Sequence, residues 1–182
     1  METVRSESGL ICYVQENSNL FRLDKSYDLI INSRKDINRE IIAPTKELRE
    51  IILKRENIES LNIWRETGFL MSEIGSNAEK GGNKFDPNKH TWLEYAFNKS
   101  PEGIEFELIV TDEGKGCPYN HIMECARKTR DSNFVESYNA FRDCVPKFSH
   151  GYGLFAVISA VDSIEWNKKG NEITITMFFP DA

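Results

Sequence analysis

The chain has 182 residues, 40% of them hydrophobic and 29% charged, with a formal net charge of −6. Those values suit one soluble globular domain with a substantial core. No apolar run reaches the roughly 18 residues that would cross a membrane, and no Lys/Arg block offers the clustered positive charge that binds nucleic-acid backbone.

The opening residues, Met1-Glu-Thr-Val-Arg-Ser-Glu7, lack the basic-then-apolar pattern of a signal peptide, so a cytoplasmic protein is expected. Cys12, Cys117, Cys125 and Cys144 form no CxxC pair and have no histidine at a matching offset. Reduced thiols are therefore expected and a zinc site is not. Cys117 stands out because it directly follows a glycine loop. Residues 1–40 read as an N-terminal extension. Ile11–Val14 and Tyr27–Asn32 could be short strands there, separated by polar stretches and without an assignable role.

From residue 41 a second unit, 41–182, is easier to read. Ile41–Pro44 looks like a brief strand stopped by proline. Thr45 can cap a helix running through Arg55, with Glu47 in its positive first turn. A second helix is predicted from Glu59 to Lys80, with Leu61, Trp64, Gly68, Met71 or Ser72, Gly75 and Ala78 on one face and Gly81-Gly82 as its stop. Residues 91–98 and 103–111 alternate apolar and polar as strands do, and the turn Lys99–Gly103 makes them a hairpin. Short helices follow near 119–129 and 132–143, then a helix at 151–162. A last hairpin pairs Ser163–Trp166 with Glu172–Phe179. The sum predicts an α+β fold: a two-layer α/β sandwich, its mixed sheet covered by helices on one face.

Three elements carry chemistry. Glu73 and Asn77 lie four residues apart on a predicted helix and so project from one face. A carboxylate can orient or deprotonate a hydroxyl, and an amide oxygen is a hard ligand suited to Mg²⁺. Asp112 ends a strand before Glu-Gly-Lys-Gly116. Gly114 and Gly116 permit close approach of a ligand, and the carboxylate can accept a hydrogen bond from an amino group such as that of adenine. Gly151-Tyr-Gly153-Leu154 opens an apolar helix whose free N–H groups and positive dipole end suit phosphates. Neither the Walker loop nor the dinucleotide glycine fingerprint is present. Each element alone is commonplace; the three in this order describe an ATP site.

Together they resemble the N, G1 and G2 boxes of the GHKL ATPase superfamily, which includes gyrase, heat-shock chaperones, mismatch-repair ATPases and histidine kinases. Within it, the compact anti-sigma-factor serine kinases are the most similar. Ser72-Glu-Ile-Gly-Ser-Asn-Ala-Glu-Lys-Gly81 is similar to their Glu-x-x-x-Asn-Ala-x-x-His-Gly, with Lys80 standing where the family usually has His. Val110-Thr-Asp-Glu-Gly-Lys-Gly116 is similar to their strand followed by Asp-x-Gly-x-Gly. His150-Gly-Tyr-Gly-Leu-Phe155 and the closing hairpin are similar to their Gly-x-Gly-Leu helix and final strands. The resemblance covers about residues 41–179.

The resemblance implies a histidine-kinase-like ATPase fold that binds ATP with Mg²⁺. It makes Glu73 the base and Asn77 the metal ligand, with Lys80 nearby. Asp112 would read adenine in a pocket shaped by Gly114 and Gly116, while Gly151, Gly153 and Leu154 close on the phosphates. Residues 117–150 would form the ATP lid, with Arg127, Lys128 or Arg130 as the cation that meets phosphate. The implied activity is a serine/threonine kinase that phosphorylates or sequesters a sigma factor or an anti-sigma antagonist, as a possible homodimer. A nucleotide-gated binding module without phosphotransfer is the alternative. A histidine kinase is disfavoured, because none of His90, His121 and His150 lies in a dimerisation helix beside an acid.

Overall fold

The computed structural model describes residues 2–5, 10–14, 20–25, 50, 53–54, 56–84, 86, 88–129, 133–145 and 152–180. Seven strands form one sheet: β1 (Glu2–Arg5), β2 (Leu10–Val14), β3 (Leu20–Lys25), β4 (Thr91–Ser100), β5 (Gly103–Asp112), β6 (Ser163–Trp166) and β7 (Glu172–Pro180). Their order across the sheet is β1-β2-β3-β4-β5-β7-β6. Every pairing is antiparallel, which corrects the expected mixed sheet. Each neighbouring pair is either a hairpin or a return connection, and antiparallel strands accept both.

The N-terminal residues belong to this sheet. β3 pairs with β4, setting Leu20 opposite Glu94 and Leu23 opposite Thr91. Within the stretch read as an N-terminal extension, the three strands of residues 2–25 pair in this sheet. The expected strands at Tyr27–Asn32 and Ile41–Pro44 lie outside the described residues. Of the helix expected over 45–55, Glu50, Leu53 and Lys54 are described, and they are helical.

The central strands β5 and β7 explain the two-layer arrangement. Phe106, Leu108 and Val110 of β5 are buried, as are Ile173, Ile175 and Phe179 of β7. Glu105 and Glu107 alternate with them on the opposite face, as do Thr174 and Thr176. A period of two therefore sorts the apolar side chains to one face of the sheet. Helix α1 (Leu61–Asn77) packs on that face through Ile63, Leu70, Met71 and Ile74. Of the predicted stripe Gly68, Met71, Ser72, Gly75 and Ala78 are buried and Trp64 packs against the core, whereas Leu61 at the start of α1 is 83% exposed.

Among the described residues three further helices lie in this layer: α2 (Tyr119–Lys128), α3 (Phe134–Cys144) and α4 (Tyr152–Ala160). Asn133 caps α3, its side chain accepting from the Glu136 N–H at 3.1 Å. Ile122, Phe141 and Phe155 join α2, α3 and α4 in a second apolar cluster. Cys125 and Cys144 are bonded as a disulfide across α2 and α3, which corrects the expectation of reduced thiols throughout. Their separation of 19 residues in sequence gave no spacing signal, since helix packing alone brings them together. Leu108→Ala, at a site with no exposure, should cost about 2–5 kcal/mol in denaturant unfolding, whereas the exposed Leu61→Ala should stay within about 0.5 kcal/mol.

Candidate functional site

A cavity of about 360 Å³ opens where the end of α1 meets the ends of β5 and β7. α1 does not stop at Gly81-Gly82 as an α-helix would. It widens at Ala78–Gly82 into one π-helical turn, closed by the Asn83 N–H donating to the Ala78 carbonyl at 2.7 Å. π-turns recur at functional sites because they re-aim side chains that a regular helix would carry past. Here Asn77, Lys80 and Gly82 all reach the cavity wall.

Asp112, the last residue of β5, forms the opposite wall. Its Oδ1 accepts the Gly114 N–H at 2.7 Å. A methyl group on Gly82 would collide with this carboxylate, and one on Gly114 would collide with both the Gly82 backbone and Asp112. The carboxylate is boxed between two glycines whose lack of a side chain gives it room. Its burial pushes the Asp112 pKa above the usual carboxylate range, against the pull of the Gly114 N–H and of the Lys169 charge, with Glu79 adding to the rise.

The strand end is held by the turn between β6 and β7. The Asp112 N–H donates to the Asn171 carbonyl at 2.9 Å, and Asn171 Nδ2 returns a bond to the Asp112 carbonyl at 2.5 Å. The Cys117 N–H donates to the Gly170 carbonyl at 2.9 Å. Gly116 and Gly170 have φ of 84° and 75°, in the left-handed region that side chains disfavour. A methyl on Gly116 would strike the Lys169 carbonyl, so the two loops interlock backbone to backbone. Trp166 and Leu154 supply apolar walls, and Trp166 stacks on Tyr119 with ring centroids 6.1 Å apart.

Sequence reasoning missed the polar hub beneath this wall. Asn83 has no exposure; its Nδ2 donates to the His90 carbonyl at 2.9 Å and to Thr91 Oγ1 at 3.0 Å, while its Oδ1 accepts the Glu113 N–H at 2.9 Å. Thr91 Oγ1 donates to the buried Glu79 Oε1 at 2.5 Å. One amide thereby ties the π turn, the start of β4 and the loop after β5. In the sequence Asn83 follows two glycines and looks like an ordinary helix stop.

The predicted residues fall into two groups. Asn77, Lys80, Asp112, Gly116 and Leu154 all line the cavity, and Gly114 backs Asp112. Asn77 Nδ2 is buried and has no hydrogen-bond partner among the described residues. Such an orphan donor costs free energy unless a ligand satisfies it. Glu73 lies outside the cavity wall, its carboxylate packed against Gly153 in the first turn of α4 so closely that no methyl would fit there. Gly151 and Arg130 lie outside the described residues. Arg127 and Lys128 are exposed and do not line the cavity; Lys128 pairs with Glu124 at 2.7 Å, and Arg127 borders a separate hollow beside Phe134 and Phe155.

Gly82, not Gly81, is the glycine that approaches Asp112, and nothing lies within 4 Å of a methyl built on Gly81. The chain matches no family model, no curated protein and no solved structure.

Gly82→Ala should destabilise the protein by about 1–3 kcal/mol through overpacking on Asp112, with Gly81→Ala neutral or better in the same unfolding assay. Asp112 has a folded-state pKa raised above its unfolded value, so ionising it opposes folding, and that penalty disappears as pH falls through the folded value. Asp112→Asn should accordingly stabilise the unliganded protein at neutral pH. The gain should vanish in acid below the ordinary carboxylate range, as read from unfolding midpoints across pH.

Proposed function

We propose that the cavity binds an adenine nucleotide and that the protein is an ATP-dependent regulator of the anti-sigma-factor kinase type. The observation that carries this reading is the convergence of Asn77, of Asp112 with Gly116, and of Leu154, from three separate segments, on one cavity of about 360 Å³. That volume lies within the range of small-molecule sites. Asp112 would accept the amino group of adenine, while Val110, Ile173 and Trp166 line an apolar slot for the ring. Lys80 and the buried, partnerless amide of Asn77 would meet the phosphates.

Asn77, on the cavity wall, would offer a bound Mg²⁺ an amide oxygen, a hard donor of the class this ion takes. When bound, the ion would neutralise phosphate charge as the terminal phosphoryl group is transferred. Glu73 would orient or deprotonate an acceptor hydroxyl on a partner protein. In the pathway the resemblance implies, that partner is a sigma factor or its antagonist, and nucleotide state selects between them.

The position of Glu73 favours a second reading. A base packed against Gly153, away from the cavity wall, suits a nucleotide-gated binding module that transfers nothing. The two readings separate on phosphotransfer alone.

Titration of the full chain with ATP, ADP and GTP, with and without Mg²⁺, should give adenine-selective, Mg²⁺-dependent binding. Asp112→Ala should abolish it and Asn77→Ala should remove its Mg²⁺ dependence. No binding of the wild-type chain at millimolar nucleotide contradicts the proposal. Glu73→Gln should keep ATP affinity and lose transfer of labelled phosphate to a partner; if the wild-type chain itself transfers nothing, the gated module stands.

A further inference from the structure

Away from the cavity beside Asp112, His121, Cys125 and Cys144 bring their potential ligand atoms within 4.8 Å of one another. We propose that in its dithiol form this cluster is a zinc site, and that the disulfide is the metal-free, oxidised form of the same site. The inference does not rest on the nucleotide reading.

His121 and Cys125 are four residues apart on α2 and so share a face, while Cys144 arrives from the last turn of α3. That i, i+4 offset is a histidine spacing which a search for CxxC pairs passes over. The imidazole already touches both partners: its Nε2 lies 3.1 Å from the Cys144 carbonyl, to which it can donate a proton, and 3.7 Å from Cys125 Sγ. Ligating histidines commonly give their second ring N–H to a carbonyl in this way, which fixes the tautomer. With that proton on Nε2, Nδ1 is the bare nitrogen, 4.0 Å from Cys125 Sγ, so a small turn of the ring brings it to the sulfur. With Zn–S near 2.3 Å and Zn–N near 2.0–2.1 Å, the nitrogen and sulfur of a tetrahedral site stand about 3.6 Å apart. The pair needs only a few tenths of an ångström to close on an ion.

The two cysteine Cα atoms are 5.9 Å apart, so both sulfurs can turn onto one ion without moving α2 from α3. Cys125 has no exposure and Cys144 is half-buried, while His121 is exposed and marks the entry side. Three protein ligands leave a fourth position for water, the usual count for an open zinc site. A dithiol reductant opens the disulfide by exchange, leaving as its own disulfide and giving two protonated thiols here. Both protons depart when zinc binds, because thiolate is the ligand.

The disulfide and the metal would each staple α2 to α3, so the lid helices stay joined in either redox state. The surroundings change nonetheless. In the oxidised form the imidazole rests beside a neutral disulfide, whereas the reduced form draws a divalent cation into the same space.

The test uses Co²⁺ as a spectroscopic stand-in for zinc on the full chain, reduced with a phosphine and freed of it anaerobically. The expected result is about one Co²⁺ per chain in tetrahedral thiolate ligation. Its charge-transfer bands should be displaced by Zn²⁺ and absent from the oxidised chain. Cys144→Ser should abolish those bands and His121→Ala should weaken binding, whereas Cys117→Ser and Cys12→Ser should leave both unchanged. Cys144 and His121 lie outside the fully buried core, so these variants keep the test open even if Cys125→Ser does not fold. The proposal is overturned by absence of thiolate bands in the reduced chain, by their survival in Cys144→Ser, or by their loss in Cys117→Ser.

Discussion

The site depends on backbone meeting backbone around Asp112. Gly82 and Gly114 press on its carboxylate, Asn171 bonds its peptide on both sides, and Gly116 lies against the Lys169 carbonyl. A side chain on Gly82, Gly114 or Gly116 would collide with these neighbours. The end of β5 is consequently fixed by the π turn after α1 and by the β6–β7 turn together, two segments nearly ninety residues apart at Gly82 and Asn171. A burial penalty on the carboxylate results, and it is the kind of local cost that a folded protein carries where a ligand is to be met.

This arrangement links the core to the cavity. The same alternation that buries Phe106, Leu108 and Val110 brings Asp112 to the strand end on the helix-covered side. α1 runs over that face and delivers Asn77 just before its last turn widens. Asn83 then locks the widened turn to the loop after β5. One buried amide thus bonds both segments that wall the cavity.

Much of the fold was legible because its signals are local. The period-two patterns of residues 91–98 and 103–111 gave β4 and β5 within two residues at each end, and Lys168-Lys-Gly-Asn171 marked the last hairpin. Asp112, Asn77 and Gly116 could be found for the same reason, as each sits at the end of a readable element. The unread features are tertiary. Nothing in the composition of residues 2–25 tells that β3 pairs with β4. The burial of Asn83 and the meeting of Cys125 with Cys144 arise from packing between distant segments. The π turn depends on which carbonyl Asn83 finds, and periodicity does not record that.

The central claim is that one ligand bridges the π turn, the loop after Asp112 and the β6–β7 turn. Amide hydrogen exchange on the full chain, with and without Mg²⁺-ATP, tests it segment by segment. The account predicts slowed exchange together in residues 78–83, 113–117 and 167–171, with the strands at the far end of the sheet unchanged. Protection confined to α3 and the hollow beside Phe134, or no protection at saturating nucleotide, would contradict it.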